Sequence, residues 1–323
     1  MVYVQDIDGK PMMPTTRHGK VRRLLKANKA TVVNLCPFTI QLTYKSTDHK
    51  QPVTLGIDAG AKHIGFSATT EKEELFACET ILRTDIVDLL STRSQNRRTR
   101  RSRLRYRKPK FNNRVFSKKK GWVAPSVKQR IDSHLNEVNE IHKILPITKI
   151  VIEAAQFDTH KMKNPNISGI DYQNGEQLGF WNVREYVLFR DGHKCSYCKG
   201  KSKDLILNIH HIESRKTGGD SPSNLITLCE TCHKEYHKGN IDLKVRRGKS
   251  LCGAAIMGIM KWRLYDELKS RYSNVSMTFG YITKYNRIKY GIEKSHTSDA
   301  FVISKNFNAK RIEYQYLKRL VRR

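Results

Sequence analysis

Long apolar runs are missing from this chain. No stretch approaches the roughly 20 apolar residues that a membrane-spanning helix needs, which sets aside an integral membrane protein of helical type. No signal-peptide pattern stands at the N-terminus. Acidic residues are scarce, 30 Asp and Glu against 61 Lys and Arg, for a net charge of +31 and a pI near 10.0. Such an imbalance implies a polyanionic partner, most simply nucleic acid, with an anionic lipid surface as the weaker alternative. Hydrophobic residues are sparse too, at 38%. That suits small cores joined by solvated arms better than one large core, and 323 residues allow two or three domains. The seven cysteines do not form a secreted disulfide framework. Four sit in pairs, and Cys36, Cys78 and Cys252 are scattered, which is the arithmetic of a metal site. The expected compartment is reducing, either bacterial cytoplasm or an organelle of bacterial descent. No internal repeat is present.

What the chain does have is concentrated between residues 195 and 237. Two Cys-x-x-Cys pairs, Cys195/Cys198 and Cys229/Cys232, lie about thirty residues apart, and four thiols so spaced close a tetrahedral zinc site. A purely structural, DNA-binding ribbon would need no more. The histidines argue for more. His233 and His237 are four apart and share one helix face, so they can chelate a second ion. His210 and His211 are neighbours on the strand-like run LILNIHHI and point to opposite faces. One can join the ion while the other faces a substrate. Lys234 stands where a zinc protease of H-E-x-x-H type needs Glu, so that chemistry fails.

Elsewhere, short strand-like runs around KPMMPT precede a basic segment. VTLGIDAG and KHIGFSATT read as a β-hairpin, and residues 83–108 as a helix that turns almost wholly to arginine. From 91 to 120 there are 14 basic residues and no acidic one. Arg93, Arg97, Arg98, Arg100, Arg101, Arg103, Arg105 and Arg107 wrap every face. No apolar stripe remains for a core, and without a polyanion the repulsion predicts fraying. Tyr106, Phe111 and Trp122 are candidates for base stacking. Ser126–Leu145 has helical apolar spacing, ITKIVIEAA reads as a buried strand, and residues 158–180 read as a linker. NVREYVLFRD is a short helix, NVSMTFGYIT is strand-like, and SHTSDAFVIS opens a helix with Ser295 as cap.

Three acids stand at telling places. Asp58 ends one apolar strand, Glu153 ends another, and Asp299 lies in the first turn of a late helix. An unpaired buried carboxylate is costly, and three that converge can hold two divalent ions for phosphodiester hydrolysis. Their spacing alone is not diagnostic.

The segment IHHIESRKTGGDSPSNLITLCETCHKEYH resembles the HNH, or ββα-metal, nucleases over about 55 residues. That resemblance implies His211 as the general base. It makes His210, His233 and His237 ligands of a divalent ion, Asn224 the brace that orients His211, and Cys195, Cys198, Cys229 and Cys232 the holders of structural Zn²⁺. The order Asp58, Glu153, then His296-x-x-Asp299 is similar to the RuvC branch of the RNase H fold. There the three carboxylates hold Mg²⁺ (or Mn²⁺) and His296 assists the nucleophilic water. An HNH module between the second and third RuvC motifs, with an arginine helix after the first, resembles the RNA-guided IscB family and its CRISPR relatives. RRTRR (Arg97–Arg101) matches the R-R-x-R-R signature. Pro11–Pro14 matches the N-terminal P-L-M-P motif, with Met12 in place of Leu.

The implied fold is α/β: an RNase H-like (RuvC) mixed sheet split in sequence, an arginine-rich bridge helix and an inserted ββα-metal zinc module. The implied segments are an N-terminal PLMP-like domain at 1–52, RuvC segment I at 53–92 and the bridge helix at 93–108. RuvC segment II with a linker follows at 109–183, then HNH at 184–240 and RuvC segment III at 241–323. The implied activity is RNA-guided cleavage of double-stranded DNA, HNH on the guide-paired strand and RuvC on the displaced one. The implied partner is a structured non-coding guide RNA, in a monomeric ribonucleoprotein without membrane. Family members usually continue well beyond the last RuvC motif, whereas 24 residues follow Asp299 here, which bears on recognition of a flanking DNA motif. Two alternatives remain: a protein-guided HNH homing or intron endonuclease with the RuvC part as scaffold, and a non-catalytic nucleic-acid binder.

Overall fold

The computed structural model describes residues 1–47, 49–104, 121–154, 158–163, 165–172, 174–215, 219–243 and 251–321. The chain forms two compact units, Met1–Phe157 with Gly253–Arg323, and Asp158–Cys252. In chain order the first unit opens with β1 (Tyr3–Gln5), α1 (His18–Lys26), β2 (Ala30–Leu35) and β3 (Phe38–Leu42). It continues with β4 (Thr54–Ala59), β5 (His63–Thr69), β6 (Glu74–Ile81), α2 (Ile86–Leu104), α3 (Pro125–Ile144) and β7 (Lys149–Ala154). The second unit holds α4 (Thr159–Lys163), α5 (Val183–Arg190), β8 (Leu207–His211), β9 (Leu225–Cys229) and α6 (Glu230–His237). The first unit resumes with α7 (Cys252–Arg271), β10 (Val275–Phe279), α8 (Gly280–Lys289), α9 (His296–Ser304) and β11 (Tyr316–Arg319).

A mixed six-stranded sheet, ordered β10-β7-β4-β5-β6-β11, organises the first unit. β4, β5 and β6 form an antiparallel meander, while β7 runs parallel to β4, β10 to β7 and β11 to β6. The expected hairpin is therefore three strands: β6 was missed because ELFACETI lacks a clean two-residue alternation. Both faces of β4 are covered, which is why it reads as a continuous apolar run. Leu55, Ile57, Ile64, Phe66, Ile150 and Ile152 pack with Ile131, Leu135 and Val138 of α3 and Met260, Leu264 and Leu268 of α7. The opposite face meets α9. A smaller sheet, β1-β3-β2, makes its own core with Val21 of α1.

Two glycines set how closely α9 lies on the sheet. A Cβ at Gly56 of β4 would overlap the Ala300 carbonyl, and one at Gly65 of β5 the His296 carbonyl. Only backbone fits there, so the helix drops onto the strands. Ser295 caps it as expected, its side chain accepting from the Ser298 amide. Two readings need correction. NVSMTFGYIT is strand only to Phe279, and α8 starts at Gly280. The 158–180 segment is not bare linker: it holds α4 and a 3-10 turn at Gly169–Tyr172, and Asp158 accepts from the Lys161 amide at 2.9 Å. α2 is helical to Leu104, with Arg93 through Arg103 exposed. Arg105, Tyr106, Arg107 and Phe111 lie outside the described residues.

Candidate functional site

Each unit carries one constellation. In the second, β8 and β9 pair antiparallel with His210 opposite Ile226 and His211 opposite Leu225. α6 follows β9 at once. Its first amides find acceptors in Asp204 and the Ile206 carbonyl: Thr231 N donates to Asp204 Oδ2 at 2.9 Å and Glu230 N to Ile206 O at 3.0 Å. This ββα arrangement places Cys229 and Cys232 at the strand–helix junction. There they meet Cys195 and Cys198, with all four sulfurs within 4.8 Å of one another. Hydrogen bonds, from Ser202 foremost, overcome the effect of burial and pull the Cys198 thiol down to about 6. Four thiols, three of them buried, converging on one point fit a zinc ion.

The pleat sends the two adjacent histidines apart. His210 is 8% exposed, and its Nε2 is buried with no hydrogen-bond partner. It faces His233 and His237, and the three offer ligand atoms all within 4.8 Å of one another. Nε2 of His233 and Nε2 of His237 are 3.2 Å apart. Burial, with the other imidazoles adding to it, lowers His210 to about 4, so it is a neutral ligand over the physiological range. An orphaned buried nitrogen facing two helical imidazoles fits a divalent ion.

His211 sits on the other face. Its Nε2 lies 2.9 Å from Asp220 Oδ1, and Arg215 holds the second Asp220 oxygen at 2.8 Å. Donation of Nε2–H to that carboxylate leaves Nδ1 as the basic nitrogen of His211. Asn224, fully buried, ties the intervening loop. Its Oδ1 accepts from Glu213 N at 2.9 Å, and its Nδ2 donates to Glu213 O at 3.0 Å and Gly219 O at 2.9 Å. Asn224 touches the loop rather than His211 itself. Asp220 was not foreseen, because nothing in the local sequence shows that the loop folds back onto β8.

In the first unit, strand register builds the site. Asp58 pairs with Gly65, and Gly65 with Glu79, one row across β4, β5 and β6. Asp58 is two residues past Gly56 and so shares the α9 face of the sheet. Glu153 is likewise one residue past the core-facing Ile152. α9 then supplies His296, whose Nδ1 is 2.7 Å from Asp58 Oδ2, and Asp299, whose Oδ1 is 2.9 Å from Arg287 Nε of α8. Burial raises the Glu153 and Asp299 carboxyls above the usual range, and the Asp58 charge adds to both. The buried hydroxyl of Thr283 of α8 lies close to Glu153 without making a well-formed hydrogen bond. The Asp58 hydrogen bond raises His296 against the effect of burial. The three carboxylates share one field, yet they do not form a group with all ligand atoms within 4.8 Å. Asp58 pairs with His296 and Asp299 with Arg287. Three carboxylates on one face, two of them pushed toward the protonated form by burial and a neighbouring charge, are a donor set that suits a hard divalent cation.

Four groups here escaped the sequence reading: Thr283, Arg287, His63 and Glu79. His63 stacks on His296 with ring centroids 5.2 Å apart and bonds Glu79 at 2.8 Å. Only the β5–β6 register brings them together.

Two protein families match the chain. Residues 2–175, more than half of the chain, match the RRXRR protein family, and residues 195–239 match the HNH endonuclease family. Anaredoxin of Nostoc sp. (strain PCC 7120 / SAG 25.82 / UTEX 2576) is 34% identical over 66 residues, which are 20% of this chain and 84% of that protein. Streptococcus thermophilus Cas9, solved with an AGGA PAM, superposes with TM-score 0.40 at 15% identity, covering 57% of this chain and 26% of its own. The Type II-C Cas9 of Actinomyces naeslundii gives 0.32 at 11% identity, covering 79% and 60%. The chain thus spans about a quarter of the length of the first of these nucleases.

Proposed function

From the premise that this chain belongs to the RRXRR family and carries an HNH endonuclease domain, we propose that it is an RNA-guided DNA endonuclease with two hydrolytic centres. The observation that carries the reading is the division of labour at His210 and His211. One imidazole is buried and neutral with its Nε2 unpartnered beside two others, and its neighbour is oriented on the opposite face through its Nε2 bond to Asp220. In the second unit, His211 Nδ1 takes the proton of the attacking water, and Asp220 stabilises the imidazolium that results. Asn224 keeps the loop that presents Asp220 in place. His210, His233 and His237 hold a divalent ion, which when bound stabilises the negative charge of the phosphorane and of the departing oxygen. The four thiols hold zinc as a staple for a module with little core of its own.

For the first unit the same proposal assigns a RuvC-type centre. The order β10-β7-β4-β5-β6, with β4 central and antiparallel to β5, supports an RNase H-like reading of the sheet. Asp58, Glu153 and Asp299 bind Mg²⁺ or Mn²⁺, and His296 receives the proton of the nucleophilic water. The exposed arginines of α2 suit the phosphates of a guide RNA and of its duplex with the target. The proposed segments follow the motif spans given above, and the guide-paired strand is assigned to the HNH centre.

The test is strand-resolved cleavage of a labelled duplex by the protein purified with its RNA. His211→Ala should leave a nick in the displaced strand only, and Asp58→Ala a nick in the guide-paired strand only. Loss of both cuts in either single variant would refute two independent centres. Cleavage at a fixed site that survives removal of the RNA would refute guidance.

A further inference from the structure

The two sides of α8 do different things. Thr283 and Arg287, four apart, face the carboxylates: Thr283 lies beside Glu153 and Arg287 pairs with Asp299. On the far side Tyr281, Tyr285 and Ile288 recur at spacings of four and three, so they form one stripe. They are 73%, 65% and 64% exposed. A helix usually turns such residues inward, yet here the only buried residue of α8 is Thr283. The helix GYITKYNRIK contains no acid, and Lys284 and Lys289 flank the stripe. Aromatic faces interleaved with cations suit a polyanion whose bases are free to stack.

We propose that this face of α8 is a stacking platform for single-stranded DNA, which crosses the helix to bring a phosphodiester to Asp58, Glu153 and Asp299. The inference rests on the nuclease reading of that centre and adds the form in which its substrate arrives. Spacing selects a single strand over a duplex. Tyr281 and Tyr285 are four residues apart, about 6 Å along a helix axis. That is nearly twice the roughly 3.4 Å per nucleotide of a duplex strand. Two bases can lie on the two rings only if the strand is drawn out and unpaired. The phosphate between them then passes Lys284, and the next turn of the path leads to Arg287, beside Asp299.

Photo-cross-linking of the full chain with its copurified RNA to a 5-iododeoxyuridine single strand tests this. Adducts are expected on Tyr281 or Tyr285. By fluorescence anisotropy, Tyr281→Ala and Tyr285→Ala should each weaken single-strand binding about tenfold, with duplex binding unchanged. Tyr281→Phe and Tyr285→Phe, which keep the stacking ring, should bind as the parent does. Circular dichroism melts of every variant guard against misfolding. Adducts confined to other elements would overturn the proposal. So would equal losses on single strand and duplex, or single-strand affinity unchanged in both alanine variants; in that case the stripe is a seat for protein. A single-stranded RNA of the same sequence that bound tenfold better than the DNA would overturn the choice of DNA. None of these readouts needs turnover, so a chain that binds and cross-links without cutting would sink the nuclease reading and leave the platform standing.

Discussion

Replacing Asn224 by alanine removes three hydrogen bonds at once: from Glu213 N, to Glu213 O and to Gly219 O. Asn224 itself is fully buried, and its partners are main-chain groups of the loop between β8 and the 3-10 turn at Pro222–Asn224. Each such bond contributes about 1 kcal/mol net, so their combined loss is on the order of 3 kcal/mol. At about 1.4 kcal/mol per factor of ten, the loop should open roughly a hundred times more often. The assay is native-state hydrogen exchange of the amides of Ile212 and Glu213: one donates to the Asn224 carbonyl, the other to its side chain. The Glu213 amide should exchange about a hundredfold faster, and the Ile212 amide less so, since its acceptor is main chain and survives. HNH-strand cleavage should fall in parallel, because Asp220 rides on the same loop and orients His211. Asn224→Asp keeps one acceptor but turns a carboxylate toward two carbonyl oxygens, so its loss should equal or exceed that of alanine. If Glu213 exchange in Asn224→Ala stayed within threefold of the parent, the bracing role of Asn224 would be wrong.

Other consequences are as direct. Burial and mutual charge raise Glu153 and Asp299, so their contribution to stability is present at low pH and lost as pH rises through the folded values. A bound cation reverses that loss. Mg²⁺ should therefore raise the Tm of the full chain more at pH 8 than at pH 5, and equal increments would refute the carboxylate site. Gly65→Ala forces a Cβ into the His296 carbonyl and should cost about 1–3 kcal/mol in urea unfolding. It should also abolish displaced-strand cleavage while sparing the HNH nick. Cys229→Ser should release one zinc per chain in a colorimetric chelator assay, and parent-like zinc content would count against the four-thiol site.

Much of the second unit was legible because its chemistry is local. Cysteine pairs at Cys-x-x-Cys spacing, two histidines one helical turn apart and two histidines on alternate faces of a strand each fix geometry within a few residues. The loop partner of His211 was not legible, since Asp220 reaches it by a fold-back that no periodicity marks. In the first unit Asp58, Glu153 and Asp299 were placed correctly on β4, β7 and α9, because an acid ending an apolar run is conspicuous. His63 and Glu79 were missed because they meet only through the β5–β6 register. The first turn of α8 was read as strand because VSMTF runs on through β-branched and aromatic residues. The break falls at Gly280, where an added Cβ would stand 3.0 Å from Glu153 Oε1. β11 hides in a tail of lysines and arginines, and it becomes a strand by pairing with β6.

The long sequence gap between Asp58 and His296, 238 residues, carries a consequence for biosynthesis. β4 leaves the ribosome early but has no α9 to receive until residues beyond 296 emerge. All candidate ligands of the second unit lie between residues 195 and 237 and are complete some sixty residues sooner. Units fold as their residues become available during synthesis. The centre whose first residue is translated earliest is thus the last to assemble. A chain stalled between residues 240 and 295 would hold every residue of the ββα cluster and lack α9, the helix that completes the carboxylate cluster.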